Sequence, residues 1–253
     1  MTHRLLPVLP PAIAVALALS ALAAGPAAAQ TMAEKHLGEA AELILAFTDN
    51  GPNSIPTELL QRARAIAVIP NVFRGGFILG ARRGRGVLSL RMDDGSWSNP
   101  AFVTLTGGSI GWQIGAESTD IVLIFANDRA VKNLATGKFT LGGEASAVAG
   151  PLRSEVSSTL TFRAEVYGYL RSRGLYAGAA FQGARLNIDD ELGATLYGGD
   201  LGASPLGSQS ASTPLIARRF LLALEQAVLS PRVLDTAADP AGESEVLTFP
   251  LPD

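Results

Sequence analysis

The chain has 253 residues, with 20 lysines and arginines against 23 acids for a formal charge of −3, 47% hydrophobic residues and no cysteine. The lack of cysteine excludes a disulfide framework, a lipoprotein attachment cysteine and thiolate metal or nucleophile chemistry, and the mild acidity argues against a general nucleic-acid binder. The average hides one asymmetry: from Leu59 to Met92 there are seven arginines (Arg62, Arg64, Arg74, Arg82, Arg83, Arg85 and Arg91) and no acid, a block that points to an anionic partner.

Residues 1–29 read as a cleavable secretory signal peptide. His3 and Arg4 open it, IAVALALSALAA follows over 13–24, Gly25-Pro26 is expected to break the helix, and Ala27-Ala28-Ala29 supplies small side chains before Gln30. The apolar run is too short to span a bilayer, which takes roughly 20 residues. The mature protein is therefore expected to be periplasmic or secreted, and it suits one domain with tails.

An amphipathic helix is predicted over 31–49, with Leu37, Ala41, Ile44 and Leu45 on one face. After the turn cluster 49–54, Pro56 starts a short second helix to Arg64. Strand-like runs follow at 65–69, 76–81, 86–92, 101–107, 109–116 and 120–126, with Asp93-Asp94-Gly95 as a hairpin turn. Gly80, Gly111 and Gly115 mark sharp bends within them. A short helix is predicted over 128–136 with Gly137 after it. Strands return at 138–143, 158–170, 174–183 and 184–188, then a helix from Asp189 to Tyr197. Connections this short leave no room for crossover helices. The fold expected is mainly β with α: an antiparallel, barrel-like core with a few short helices packed outside. The Gly/Ser/Ala-rich stretch 199–212 reads as a linker, and 213–253 as a helix with an acidic tail. That helix carries Leu215, Ile216, Phe220, Leu221, Leu224 and Val228 as its apolar stripe.

Catalytic patterns fail on inspection. Gly107-Gly108-Ser109-Ile110-Gly111 matches a nucleophile elbow, but no helix is predicted after it, and the single histidine beyond the signal segment, His36, precedes it in the chain. Asp93-Asp94 and Asp189-Asp190 lack calcium-loop spacing, and no phosphate loop or dinucleotide fingerprint is present. No enzyme, metal or cofactor is expected. The arginines remain. Arg82-Arg83-Gly84-Arg85-Gly86 falls between two strand-like runs and is expected at an exposed hairpin tip, where guanidinium groups could grip phosphate oxygens.

The segments RAIAVIPNVFRGGFILGARRGRGVLSLR (64–91), DGSWSNPAFVTLTGGSIGWQIGAESTDIVLIF (94–125), KFTLGGEASAVAGP (138–151), YGYLRSRGLYAGAAFQGARL (167–186) and LYG (196–198) resemble the SYLF domain family over about residues 33–198. The resemblance implies a phospholipid-binding module, best known for phosphoinositides, some of whose eukaryotic members bind actin filaments. It implies a β-barrel core with outer helices, and lipid contact through basic residues and an amphipathic N-terminal helix. Its bacterial members are usually exported single domains. The expectation is an exported, non-enzymatic protein that contacts anionic phospholipid headgroups through Arg62, Arg64, Arg74, Arg82, Arg83 and Arg85. Export would separate it from cytoplasmic actin. The alternative is an envelope structural or protein-interaction module acting through the barrel surface or the C-terminal helix.

Overall fold

The computed structural model describes residues 25–49, 51–75, 81–107, 118–134, 138–143, 145–156, 161–172, 175–198 and 213–229. In chain order these form α1 (Gly25–Phe47), α2 (Thr57–Arg62), β1 (Ala65–Gly75), β2 (Ala81–Leu90), β3 (Ala101–Thr106) and β4 (Thr119–Phe125). Then come α3 (Asp128–Leu134), β5 (Lys138–Thr140), β6 (Ala147–Ala149), a 3-10 turn (Arg153–Glu155), β7 (Val166–Ser172), β8 (Leu175–Gly178), β9 (Arg185–Ile188), α4 (Asp190–Tyr197) and α5 (Leu215–Leu229).

The strands make one sheet in the order β5-β9-β3-β2-β1-β4-β7-β6, with β8 added on β7. The expected mainly-β fold with a few helices is present, as a half-barrel: α1, α2, α4 and α5 pack on one face, while Ala130 and Leu134 of α3 join the cluster on the other. Its pairings are antiparallel except β6 with β7, which run parallel, so the sheet is mixed.

Both faces of the central strands are buried, which is why AIAVI and IVLIF read as unbroken apolar runs without alternation. On one face Ile66, Val68, Val122 and Ile124 join α1, α2 and α5 in a single cluster. On the other, Ala67, Ile69, Leu123 and Phe125 meet Phe139 of β5, Leu186 of β9 and Leu170 of β7. Residues from opposite ends of the strand order share that second cluster, so it fills the inside of the curl. The register agrees: Ile66 pairs with Ile124 and Val68 with Val122. Each fully buried Val, Leu, Ile or Phe side chain among them contributes about 1.5–3 kcal/mol.

Several local expectations hold for simple chemical reasons. Asp94 accepts from the Ser96 amide (2.9 Å) in the turn whose Gly95 has φ 86°, and Asp189 caps α4 by accepting from the Leu192 amide at 3.2 Å. The first helix is longer than expected. Gly25 and Pro26 occupy its opening positions instead of breaking it, since a proline in the first turn lacks only an amide that has no partner there. Among its described side chains the first buried one is Ala33. The apolar stripe of α5 also shifts: Phe220, Leu224 and Val228 are buried against α1, whereas Leu215 is 82% exposed. The expected strand at 109–116, Ser109, Gly80, Gly111, Gly115, Gly137, the linker 199–212 and the acidic tail lie outside the described residues.

Candidate functional site

The antiparallel ribbon of β1 and β2 decides where the arginines go. At one end the Arg91 amide donates to the Arg64 carbonyl at 2.8 Å. At the other, Arg74 is paired with Arg82 and Phe73 with Arg83. Ten residues at about 3.3 Å each separate Arg64 from Arg74. The basic block is thus two groups, at opposite ends of the ribbon.

The expected hairpin tip at 82–86 is instead strand. β1 does not stop at Ile69 but passes through a bulge at Pro70-Asn71, where Asn71 adopts φ 52° and its amide donates to Asp120 Oδ1 at 3.0 Å. The continued strand needs a partner, and Ala81–Leu90 supplies it. The glycines serve packing there. A Cβ on Gly84 would lie 2.6 Å from Val72 Cγ2, and one on Gly86 would enter the Val68 carbonyl oxygen.

At this far end Arg85 lies between Met32 Sδ (3.5 Å) and Asp189 Oδ2 (3.6 Å). Arg83 and Arg85 share an open cavity of about 810 Å³ with Met32, Lys35, His36 and Glu39 of α1. Burial lowers the pKa of His36, whose buried Nδ1 has no hydrogen-bond partner. The charges here are mixed: Lys35 pairs with Glu39 at 3.7 Å, and Asp189 offsets Arg85. For Arg74 and Arg82 only the strand backbone is described.

The near end differs. α2 finishes at Arg62, whose guanidinium lies 5.6 Å over the Phe162 ring. Phe162 in turn stacks edge-on against Tyr167 at 5.7 Å, and the Tyr167 hydroxyl accepts from the Ala164 amide at 2.9 Å. Those contacts fix the segment that carries Arg163. Arg91 packs over Trp97 at 5.7 Å and donates from Nη1 to the Gln61 carbonyl at 3.0 Å. Arg64 makes an exposed pair with Asp128 at 3.2 Å, of the kind that contributes at most about 1 kcal/mol.

A cleft of about 540 Å³ is lined by Arg62, Arg64, Arg91 and Arg163, with Gln61 and Asn127, and no carboxylate is among its described lining residues. Stacked guanidinium groups keep their N–H edges free and lose little freedom on binding, which suits phosphate or carboxylate oxygens. Burial raises the pKa of the Tyr167 phenol, so the hydroxyl beneath the cleft is neutral near pH 7.

Of the sequence candidates, the structure brings Arg62 and Arg64 together here and places Arg74, Arg82, Arg83 and Arg85 at the other end. Two cleft residues were missed. Arg91 was visible in the basic block, but Arg163 stands about a hundred residues beyond Arg62 and carried no signal of its own. Among the described residues no cluster suited to a metal ion occurs, and no helix is long and apolar enough to cross a membrane.

An open, mixed half-barrel with helices on its outer face and arginine-lined surfaces defines a binding domain. Comparison with known proteins names it. The family described as "Ysc84: Las17-binding protein actin regulator" matches residues 106–227. The rat SH3 domain-containing YSC84-like protein 1 (Rattus norvegicus) is 36% identical over 173 residues, 65% of this chain and 51% of the relative. Protein YSC84 of Saccharomyces cerevisiae is 33% identical over 176 residues, 68% of this chain and 37% of the relative. The chain belongs to the SYLF, or Ysc84, domain family, a family of binding and adaptor domains and not a known enzyme family. It spans about half the length, or less, of these curated relatives. The family match reaches into α5 and includes Arg163, while Arg62, Arg64 and Arg91 precede it.

Proposed function

We propose that this SYLF domain is an exported, non-enzymatic lipid-binding protein that holds anionic phospholipid headgroups in the cleft of Arg62, Arg64, Arg91 and Arg163. The observation that carries the reading is four guanidinium groups around one cleft with no lining carboxylate among the described residues. Two of them are already oriented by aromatic rings. Arg83 and Arg85, with Arg74 and Arg82 on the same strand ends, form a weaker second contact because Asp189 offsets Arg85 and Glu39 of α1 lines the same cavity. The family's description speaks of actin regulation and Las17 binding. Export through residues 1–29 would keep this chain from cytoplasmic actin, and anionic envelope lipids would be within its reach. Removal of 1–29 is compatible with the described core, in which the first buried side chain is Ala33.

Near an anionic bilayer each basic side chain contributes about 1 kcal/mol. Replacing Arg62, Arg91 and Arg163 together with Ala should therefore weaken sedimentation with phosphatidylglycerol vesicles roughly a hundredfold. The triple change Arg82→Ala, Arg83→Ala, Arg85→Ala should have a smaller effect. Binding should fall steeply with salt. Equal binding to phosphatidylcholine and phosphatidylglycerol vesicles, with no salt dependence, would refute the proposal.

A further inference from the structure

The outward face of α5 is self-complementary, and we infer that it pairs two copies of the chain as an antiparallel, twofold-symmetric helix pair centred on Leu222. The inner face of the helix is used up: Ala217, Phe220, Ala223, Leu224, Ala227 and Val228 are all buried in the core. The outer face exposes Leu215, Leu222 and Leu229 at 82%, 63% and 77%. These are the heptad-spaced leucines of a helix seam, on a helix whose opposite side already holds the fold.

The residues flanking that seam identify the occupant. Successive helical residues turn by about 100°. With Leu222 as the centre, Arg218 and Glu225 lie on one side of the leucine stripe, about 40° and 60° away, and Arg219 and Gln226 lie on the other. A twofold axis perpendicular to the helix pair keeps each flank on its own side and reverses its direction. Arg218, one turn before Leu222, then meets Glu225 of the second copy, one turn after it. Their heights along the axis differ by about 1.5 Å. Symmetry repeats the ion pair. The same operation puts Leu222 on its own copy and Leu215 opposite Leu229. On the other flank Arg219 reaches Gln226 of the second copy and keeps its pair with Glu42 of α1, 3.2 Å away. A parallel pairing, whose twofold axis runs along the helices, exchanges the flanks and sets Arg218 near Arg219 and Glu225 near Gln226 of the second copy. Like charges then meet, no ion pair forms and charge selects the antiparallel arrangement.

A seam of one 15-residue helix is smaller than the roughly 1,200 Å² of standard stable interfaces, so the dimer is weak and reversible. None of the cleft arginines belongs to the stripe, and the inference stands apart from the lipid reading. The test is sedimentation equilibrium of the full chain from about 1 to 300 µM, spanning the weak end of specific association, with circular dichroism to verify folding. The wild type should show a reversible monomer–dimer equilibrium. Leu222→Glu, at an exposed position, should weaken it at least tenfold, about 1.4 kcal/mol or more. Arg218→Glu alone and Glu225→Arg alone should each weaken it several-fold, and the double variant R218E/E225R should restore it to within about threefold of wild type. A wild type that stays monomeric over the whole range overturns the inference, whether the stripe is covered by residues 230–253 or serves a membrane. So does a dimer indifferent to Leu222→Glu, or a charge exchange that fails to rescue.

Discussion

Gly86→Ala tests whether the arginine-rich ribbon is a packed strand pair. In the structure a Cβ at this position would enter the Val68 carbonyl oxygen and lie 2.7 Å from Ile69 Cα, both backbone atoms of the neighbouring strand. Backbone cannot rotate away as a side-chain tip can. The β1–β2 pair would have to separate by roughly 1 Å, straining a region where Ile69 and Val72 are buried. Overpacking of this kind typically destabilises by about 1–3 kcal/mol, and a backbone clash belongs at the upper end. Gly38→Ala is the matched comparison. It lies within α1, and its new methyl would meet only Ile216 Cδ1 at 4.0 Å, an ordinary contact. Removing glycine's backbone freedom from a helix interior should therefore stabilise by about 0.5–1 kcal/mol. The two substitutions add the same methyl group and should move the urea midpoint in opposite directions with unchanged m-values. A Gly86→Ala midpoint within about 0.5 kcal/mol of wild type would refute the close approach and return residues 82–86 to a loop.

His36 supplies a pH dependence. Burial sets its folded pKa below the ordinary 6.5, so the unfolded chain binds the proton more tightly. Its contribution is complete above about pH 7 and is lost as pH falls through 6.5 toward the folded value. Urea midpoints between pH 5 and 8 should slope upward with pH, and His36→Gln should flatten that part of the slope; an unchanged slope would exclude His36 as its source. Phe220→Ala on α5, at a fully buried position, should lower stability by about 3–5 kcal/mol in thermal unfolding; a loss under 1 kcal/mol would mean that α5 is not part of the core. The chain beginning at Gln30 should melt within about 2 °C of one beginning at Gly25, because the removed turn contributes no described buried side chain. A larger fall would show that residues 25–29 hold the helix.

The half-barrel was legible where a strand is buried on both faces, since AIAVI and IVLIF have one simple explanation. Turn chemistry at Asp93-Asp94-Gly95 and capping at Asp189 were legible for the same reason: each is a local interaction within three or four residues. Arg82–Gly86 misled because glycine beside arginine has two physical uses. It permits a turn, and it permits a neighbouring backbone to come close. Only the bulge at Pro70-Asn71 decides between them, and the hydrogen bond from Asn71 to Asp120, 49 residues away, is invisible in the local pattern. Leu215 shows the same limit on α5. A leucine at the rim of an apolar stripe reads as core until the neighbouring helix is placed. The cleft was half legible: Arg62, Arg64 and Arg91 fall in the basic block, and Arg163 is separated from them by β3 through β6.

The charge arithmetic gives the cleft its weight. The chain holds more acids than bases, so carboxylates were available to neutralise every arginine. They do so elsewhere: Asp120 binds Arg171 at 2.7 Å, and Asp189 approaches Arg85 at 3.6 Å. At the near end Asp128 does so for Arg64, at 3.2 Å, whereas Arg62 and Arg91 are held differently. Arg62 and Arg91 rest on Phe162 and Trp97, ring faces that attract a cation without occupying its N–H donors, of which Arg91 gives one to the Gln61 carbonyl. An arginine held only for structure gains most from a carboxylate, which uses those donors. Stacking on a ring keeps the charge in place and leaves the remaining donors for an anion. Holding such groups close together is electrostatically unfavourable until an anion arrives, and the electrostatic gain is then larger than for a surface already neutralised. The same reasoning ranks the two ends: the anion should go first to Arg62, Arg91 and Arg163. If Arg83→Ala and Arg85→Ala weakened vesicle binding more than Arg91→Ala and Arg163→Ala, the ranking would be reversed and the argument from neutralisation would fail.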